Sequence, residues 1–411
     1  MVRRSLVPML VFAAACSPNV IVELTGLPAE VTALRIDASL DGSPFPTIEK
    51  PRLDRFVLEL PSGTNGALEV NVSGIGLNGC TISKGVARAD AVRSAQYYAT
   101  NLTVANQAIP PSYCRCGQSS FRFQKISNAA TQLDPGQVYR GVWGTSAQAV
   151  TFFGTGGSLL QYGGANNWNF LAGVPGSNIF LDGHGDAAGN LWGADSSASL
   201  YHFDGKSWRS ERTSAGANSV WAGAPNNVWT GGDKCQVQRF DGQVWKSIPT
   251  PATCIGPNRS ISRVWGIGDT VWAFGDKNSS NGFVLICTTS GCSEQTLSTN
   301  VTLSSAWGDS LNNFWAVSSM GTIFKLNPTT HLWQSVQKPP SAGLLDVWGS
   351  GPEDVWAVGI NGTILHFDGS AWAVHGQSGS FGNAIMESIW GYGCELFAGG
   401  ASSTVLRYTT P

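Results

Sequence analysis

A repeat of about forty residues runs through the last two thirds of this chain and restricts its fold more than any other feature. One tryptophan column is Trp143, Trp221, Trp265, Trp307, Trp348 and Trp390. His184 stands at the same place in a further unit, because His184 to Trp192 repeats the eight-residue step from Trp348 to Trp356. The successive steps are 41, 37, 44, 42, 41 and 42 residues, which makes seven units. A second column (Trp192, Trp229, Trp272, Trp315, Trp356) marks a second strand. A third (Trp168, Trp208, Trp245, Trp333, Trp372) follows the first by 24 to 26 residues. Phe203-Asp204-Gly205, Phe240-Asp241-Gly242 and Phe367-Asp368-Gly369 repeat one turn. Asp-Gly between two strand-like runs predicts a tight hairpin with positive φ at both residues. Four short strands per unit at a fixed period near forty is the pattern of propeller blades. The expected fold class is therefore all-β, with a seven-bladed β-propeller over residues 120–411.

The last unit has its first three strands at 387–390, 396–399 and 404–408, and the sequence then stops at Pro411. Ser120-Phe121-Arg122-Phe123-Gln124 alternates like a strand. Residues 120–126 are expected to lie beside 404–408 as the missing fourth strand, removing an open edge that would invite aggregation. In such a ring the first strand of each unit lies at the axis. The exit loops share a face with the second-to-third-strand loops.

All sixteen tryptophans fall between 143 and 390, so an N-terminal region of different composition precedes the repeats. Short alternating runs at Val20–Leu24, 34–40, 56–60, 68–72 and 97–104, parted by Gly, Pro and Asp turns, suggest a small immunoglobulin-like β-sandwich over residues 17–105. Residues 106–119, with Pro110-Pro111, read as a linker. At the start, Arg3 and Arg4 precede a run from Leu6 to Ala15 that is apolar but too short to span a bilayer. Charge is sparse at 13% and the net charge is −2, which argues against a nucleic-acid partner.

Ala13-Ala14-Ala15-Cys16 resembles a bacterial lipoprotein signal over residues 1–16, in which Cys16 becomes the lipidated first residue of the mature chain. Leu usually stands where Ala13 does, so a plain secretory leader is the alternative. Ser17 after the cysteine resembles the pattern of lipoproteins passed to an outer membrane, which implies a cell-envelope location and a membrane partner through the lipid anchor. The eight remaining cysteines are an even number in an exported chain and favour disulfides. Cys287 and Cys292 flank a third-to-fourth-strand turn, and Cys235 and Cys254 occupy two loops on one face of a single blade. Several pairings of Cys80, Cys114, Cys116 and Cys394 are open. Cys80–Cys114 with Cys116–Cys394 is preferred, since the second bond would staple the closing strand. Cys114-Arg115-Cys116 lacks zinc spacing.

The run from Val347-Trp348-Gly349 through Asp354-Val355-Trp356-Ala357-Val358-Gly359 to Phe367-Asp368-Gly369 and Trp372 resembles the Trp/Gly-rich propeller repeats of bacterial lipoproteins. Those are similar to the Asp-box and photosystem-assembly-factor-like propellers. The resemblance implies a binding or scaffold module and transmits no activity. Asp368-Gly369-Ser370-Ala371-Trp372 occupies the Asp-box turn with one residue fewer, and that turn is structural. No arginine cluster, tyrosine and carboxylate of the sialidase kind can be assigned around the axis. His202 and His366 sit at equivalent positions and read as repeat features, and His184, which replaces a column tryptophan, is the one histidine that merits a test. No glycine-rich stretch precedes a helix, and no zincin or nucleophile-elbow motif occurs, so no catalytic, metal or cofactor residue is expected.

What remains is a surface of loops on the exit face, where Arg209, Arg212, Lys234, Arg259 and Lys277 form the candidate ligand face. The leading expectation is a non-enzymatic envelope lipoprotein whose propeller binds a protein or glycan. The alternatives are a glycan-active or quinone-dependent propeller enzyme, which would need convergent charged groups in the central funnel, and an assembly scaffold acting through the N-terminal sandwich.

Overall fold

A computed structural model describes residues 19–28, 31–46, 48–61, 64–76, 81–93, 100–108, 122–126, 136–171, 174, 179–211, 213, 216–254, 259–277, 281–297, 301–375, 378–393 and 395–409. Cys16, Cys80, Cys114, Cys116, Cys394 and Arg212, with most of the expected linker, lie outside these residues. The chain divides into two compact units, one drawn from residues 1–76 and 81–110 and the other from 77–80 and 111–411.

The first unit holds two sheets that share one apolar core. In one, Asn19–Thr25 lies between antiparallel Arg55–Glu59 and parallel Thr100–Ala105. The other runs Ser43–Pro44, Val31–Leu40, Asn65–Gly76, Thr81–Arg93, Gln107–Ala108, and Ile48–Pro51 also pairs with Val31–Leu40. Strict alternation puts Val20 and Val22, Leu34 and Ile36, and Leu68, Val70 and Val72 into that core. The strand Thr81–Arg93 was not among the runs read from the sequence. Its inward positions include Gly85, where an added Cβ would fall 2.7 Å from the Ala105 carbonyl oxygen, so close approach of a neighbouring strand demands a residue with no apolar signal. Gln107–Ala108, expected in the linker, instead pairs with Ser83 and Lys84.

The second unit forms seven four-stranded antiparallel sheets among the described residues, six of them in sequential strand order. They are numbered I to VII here: 139–171, 180–211, 219–248, 259–296, 303–335, 344–374, and 386–409 joined by Arg122–Lys125. In sheet VII the fourth strand comes from far upstream: Arg122–Lys125 pairs antiparallel with Val405–Thr409, Phe123 opposite Tyr408. First strands of consecutive sheets touch in a closed cycle, VII meeting I. Second strands are the most buried, with Asn313–Ser318 and Asp354–Gly359 inaccessible at every position.

Each tryptophan of the second column sits in such a strand, and its surroundings explain two further repeated positions. Asn227, Asn313 and Asp354, two residues earlier, accept the indole N–H of Trp229, Trp315 and Trp356 at 2.7–2.9 Å. Across the strand pair, a cationic or imidazole side chain covers four of the five rings, while Ile286 stands opposite Trp272. His202 stacks on Trp192 at 3.8 Å, His366 on Trp356 at 4.0 Å, Lys325 lies 4.6 Å over Trp315 and Arg239 5.9 Å over Trp229. His366 also bonds Asp354 at 2.7 Å. His202 and His366 therefore belong to the repeat.

The Asp-Gly turns differ from the expected two-residue hairpin. Phe203 faces Trp208, Phe240 faces Trp245 and Phe367 faces Trp372, so each loop has four residues. Only the glycines take positive φ (87°, 96° and 92°). The aspartates instead accept two backbone N–H groups, as Asp368 does from Ser370 and Ala371 at 2.9 Å each, and the Ser370 hydroxyl together with these bonds holds the Asp368 carboxyl below the usual range. The two disulfides expected within one sheet each are present: Cys287–Cys292 across a strand pair and Cys235–Cys254 between two loops.

Candidate functional site

All seven first strands line one axial cavity of about 310 Å3. Its wall is built from two layers two residues apart on each strand, since side chains at that spacing share a face. The first layer is the tryptophan column: Trp143, His184, Trp221, Trp265, Trp307, Trp348 and Trp390. These rings also lock the sheets together. The glycine after five of the column residues (Gly144, Gly185, Gly266, Gly349 and Gly391) receives the ring of the preceding sheet, so that a Cβ on Gly144 would fall 2.8 Å from Trp390, on Gly349 2.5 Å from Trp307, and on Gly391 2.7 Å from Trp348. The repeated Trp-Gly pair is thus a steric necessity. Trp265 adds an indole N–H bond to the Gly308 carbonyl at 3.0 Å.

The second layer, two positions earlier, is polar: Gly141, Asp182, Ser219, Arg263, Ser305, Asp346 and Ser388. In six of the strands a register shift falls immediately before it, leaving Arg140, Leu181, Ser262, Ser304, Leu345 and Glu387 as the extra residue. A bulge of this kind re-aims the following side chain and is frequent next to functional sites.

Hydrogen bonds run around this layer from sheet to sheet. Asp182 accepts the Ser219 hydroxyl at 2.5 Å, the Arg263 Nη1 at 2.5 Å, and the Gly183 and Val220 N–H groups at 2.9 and 3.1 Å. Ser219 in turn accepts the Val264 N–H, and the Arg263 Nε donates to the Ser304 carbonyl at 3.4 Å. Asp346 accepts the Ser305 hydroxyl at 2.5 Å, the Val347 N–H at 3.0 Å and the Ile389 N–H at 2.7 Å. Ser388 donates to the Tyr139 carbonyl, which brings the belt back to sheet I. Arg263 reaches past sheet III to meet Asp182, and its side chain is only 16% exposed. Burial works against its charge, but Asp182, Asp346 and Glu387 outweigh that and raise its pKa. Burial raises the Asp346 and Glu387 carboxyls in spite of Arg263. It lowers His184 to about 4, so this imidazole is neutral at pH 7. Its Nδ1 accepts the Ala222 N–H at 3.3 Å, which places the proton on Nε2.

Of the exit-face residues singled out from the sequence, Arg259 and Lys277 face each other across the first strand pair of sheet IV, and Lys234 follows Asp233, which bridges to Ser260, whereas Arg209 stands on a strand of sheet II. Arg209 is on the outermost strand Trp208–Glu211, paired with Glu211 at 2.8 Å and bonded to His202, and this contact set pulls the Glu211 carboxyl down to about 2. Arg259 opens the first strand of sheet IV, buried against the ring of Phe283 and bidentate on Glu294 at 3.1 and 3.2 Å. Neither is a loop residue; each is held in strand-borne contacts. Lys277 ends the strand Thr270–Lys277, and Lys234 alone of the described set stands exposed in a loop. The charges that line the axis are Arg140, Asp182, Arg263 and Asp346, with Glu387 acting on both arginines from beside them, and none of these was assigned from the sequence. The available signal was the position two or three residues before the tryptophan column, which varies in charge while its neighbours repeat.

No protein-family model matches the sequence, and no curated protein does. Solved structures do. YCF48 bound to D1 peptide aligns at a TM-score of 0.57 and 14% identity, covering 72% of this chain and 98% of that one. A catalytically inactive virginiamycin B lyase from Staphylococcus aureus, with quinupristin, aligns at 0.60 and 13%, covering 70% and 99%. The WD40 propeller domain of Doa1 aligns at 0.57 and 10%, covering 72% and 98%. At such identities the likeness extends to fold alone, and over about seven tenths of its length this chain has the fold of a β-propeller.

Proposed function

We propose that this chain is a non-enzymatic binding module: a seven-bladed propeller behind an immunoglobulin-like sandwich, tethered to a bacterial outer membrane through a lipid on Cys16, with the axial cavity as its binding site. The observation that carries the binding reading is the state of the charged belt. Asp182 and Asp346 have three or four donors each, Arg263 is committed to Asp182, and the Nδ1 of His184 is occupied, so these groups brace a fixed cavity and none is left poised as a nucleophile or general base. Fixed polar groups around an aromatic-walled space suit recognition. YCF48 among the structural neighbours holds a peptide, which is consistent with a protein partner here.

The enzyme reading is favoured by one thing only, the presence of Asp346 and His184 with displaced pKa values in the lining of one cavity. Screening the full chain on peptide and glycan arrays, then repeating with Arg140→Glu at the cavity and Lys234→Glu on the exposed loop, separates cavity binding from loop binding. Signal is expected to change with the first substitution and to persist unaltered with the second. Mass analysis of each bound ligand after incubation tests catalysis, since any conversion overturns the non-enzymatic reading. The anchor has its own test: Cys16→Ala is expected to release the protein into the soluble fraction, and retention in the membrane pellet would refute lipidation.

A further inference from the structure

We propose that the axial cavity takes an organic cation, an ammonium or guanidinium carried by a small molecule or by a partner's side chain. This deepens the binding reading above and rests on it. Three observations lead there. The cavity has a volume of about 310 Å3, at the lower end of the range for ligand sites, which is roughly 300–1,000 Å3. Its wall presents six tryptophans and one imidazole, neutral at pH 7, and the faces of such rings attract cations and repel anions. Its charged lining is Asp182 and Asp346 with Arg140 and Arg263, and Glu387, next to the lining residue Ser388, adds a third carboxylate that acts on both arginines.

The pairing within that set decides which charge is left over. Arg263 and Asp182 neutralise one another at 2.5 Å. Arg140 and Glu387 both stand on the extra residue of a bulge, on adjacent strands, and act on each other through space without an ion pair among the described residues. That leaves Asp346, in the same layer, with hydrogen bonds but no cation within 4 Å among the described residues. An anion entering here would meet the carboxylates of Asp182 and Asp346, with Glu387 beside them, and a wall of tryptophan rings. A cation would meet the surplus carboxylate and would relieve the burial cost of Asp346 and Glu387. Arg140 is the one group that opposes it.

The test titrates the full chain with tetramethylammonium, ethylguanidinium and N-acetyl-lysine amide, each against sodium chloride of equal ionic strength, and with benzoate as the anionic control. Tryptophan fluorescence reports occupancy, because the column rings form the wall. At least one cationic probe is expected to bind and benzoate is not. Glu387→Gln should weaken the binding and Arg140→Gln strengthen it, each by about tenfold, the effect of a single charge roughly 6 Å away at an effective dielectric of roughly 40. Neither residue makes a hydrogen bond or ion pair among the described residues, so both variants retain the belt. Stronger binding of the lysine amide than of the free cations would mark a partner's side chain as the source, and the reverse a small molecule. Preference for benzoate, or cation affinities unmoved by both variants, would overturn the proposal while leaving a binding module in place. Chemical conversion of a probe would overturn the non-enzymatic reading and leave the site.

Discussion

At the scale of single residues, position 184 is the most informative place in the ring. Where six sheets supply tryptophan, sheet II supplies His184, and the residue that receives it in sheet III is Ala222, where the other sheets carry glycine in the Trp-Gly pair. The two exceptions fit each other, since a smaller ring leaves room for a methyl group and the Ala222 N–H bonds the imidazole. His184→Trp alone is expected to destabilise by about 1–3 kcal/mol through overpacking. Ala222→Gly added to it should recover at least about 1 kcal/mol, read as the coupling energy of a double-mutant cycle in urea. Additive effects would show that the two positions do not sense each other. The imidazole also sets a pH dependence. Its folded pKa of about 4 lies below the unfolded value of 6.5, so the unfolded chain binds the proton first as pH falls. Stability from neutral His184 is complete above pH 6.5 and is lost as pH drops towards 4. His375, which burial also lowers to about 4, acts in the same window and the same sense. The carboxyls of Asp346 and Glu387, raised by burial, act in the opposite sense, their stabilisation being lost as pH rises. The double variant should therefore show a shallower loss of stability between pH 6.5 and 4 than the parent; an unchanged slope would assign the effect to His375 and other groups.

At the scale of the element, the sheets were legible wherever packing repeats. Both disulfides within the ring followed from where the columns placed the turns. The chain-entropy argument gives them different weights, because their sequence separations are 19 and 5 residues. Replacing Cys235 and Cys254 by Ala should cost about 3 kcal/mol, and replacing Cys287 and Cys292 about 2 kcal/mol. Thermal melts of the two double variants check the order, and a reversed order would mean that strain or native packing outweighs loop closure. What could not be read has physical reasons too. The bulge before the polar layer is one unpaired residue and leaves no mark in a two-residue alternation, so the inward aim of Asp182, Arg263 and Asp346 was hidden. Arg259 pairs with Glu294 on a strand 35 residues away, and charge alone does not reveal a partner at that distance. Arg209 is different: its partner Glu211 is two residues on, the same-face spacing of a strand, and the sequence did carry that signal. The Asp-Gly loops were placed correctly but given the wrong geometry, because an aspartate that accepts two N–H groups and one that adopts positive φ look alike in one-letter code.

At the scale of the whole molecule, the ring is closed by a strand that belongs to the last sheet in space but lies upstream of the first in sequence. Arg122–Lys125 completes sheet VII, so a contact spanning more than 260 residues decides whether Val405–Thr409 is an interior strand or an open edge. Only one side chain of the closing strand is buried. Phe123 is 3% exposed, with its ring 4.7 Å from Tyr408 and 6.0 Å from Trp356 of sheet VI, whereas Gln124 and Lys125 face solvent. The energy holding the strand therefore comes mainly from one aromatic group docked across the seam between sheets VI and VII, with backbone bonds setting its register. Phe123→Ala should cost about 3–5 kcal/mol, the usual loss for a buried phenylalanine. It should do so locally first: hydrogen exchange at Val405–Thr409 is expected to accelerate before the other sheets respond, since closure is the contact with the largest loop entropy against it. An unpaired Val405–Thr409 is also an apolar edge, so the variant should associate with itself at concentrations where Gln124→Ala, on the same strand but facing water, remains monodisperse. If Phe123→Ala kept both the melting temperature and the exchange rates of the parent, closure would have to rest on backbone pairing alone, and the tryptophan locks between the other sheets would be sufficient to hold the ring shut.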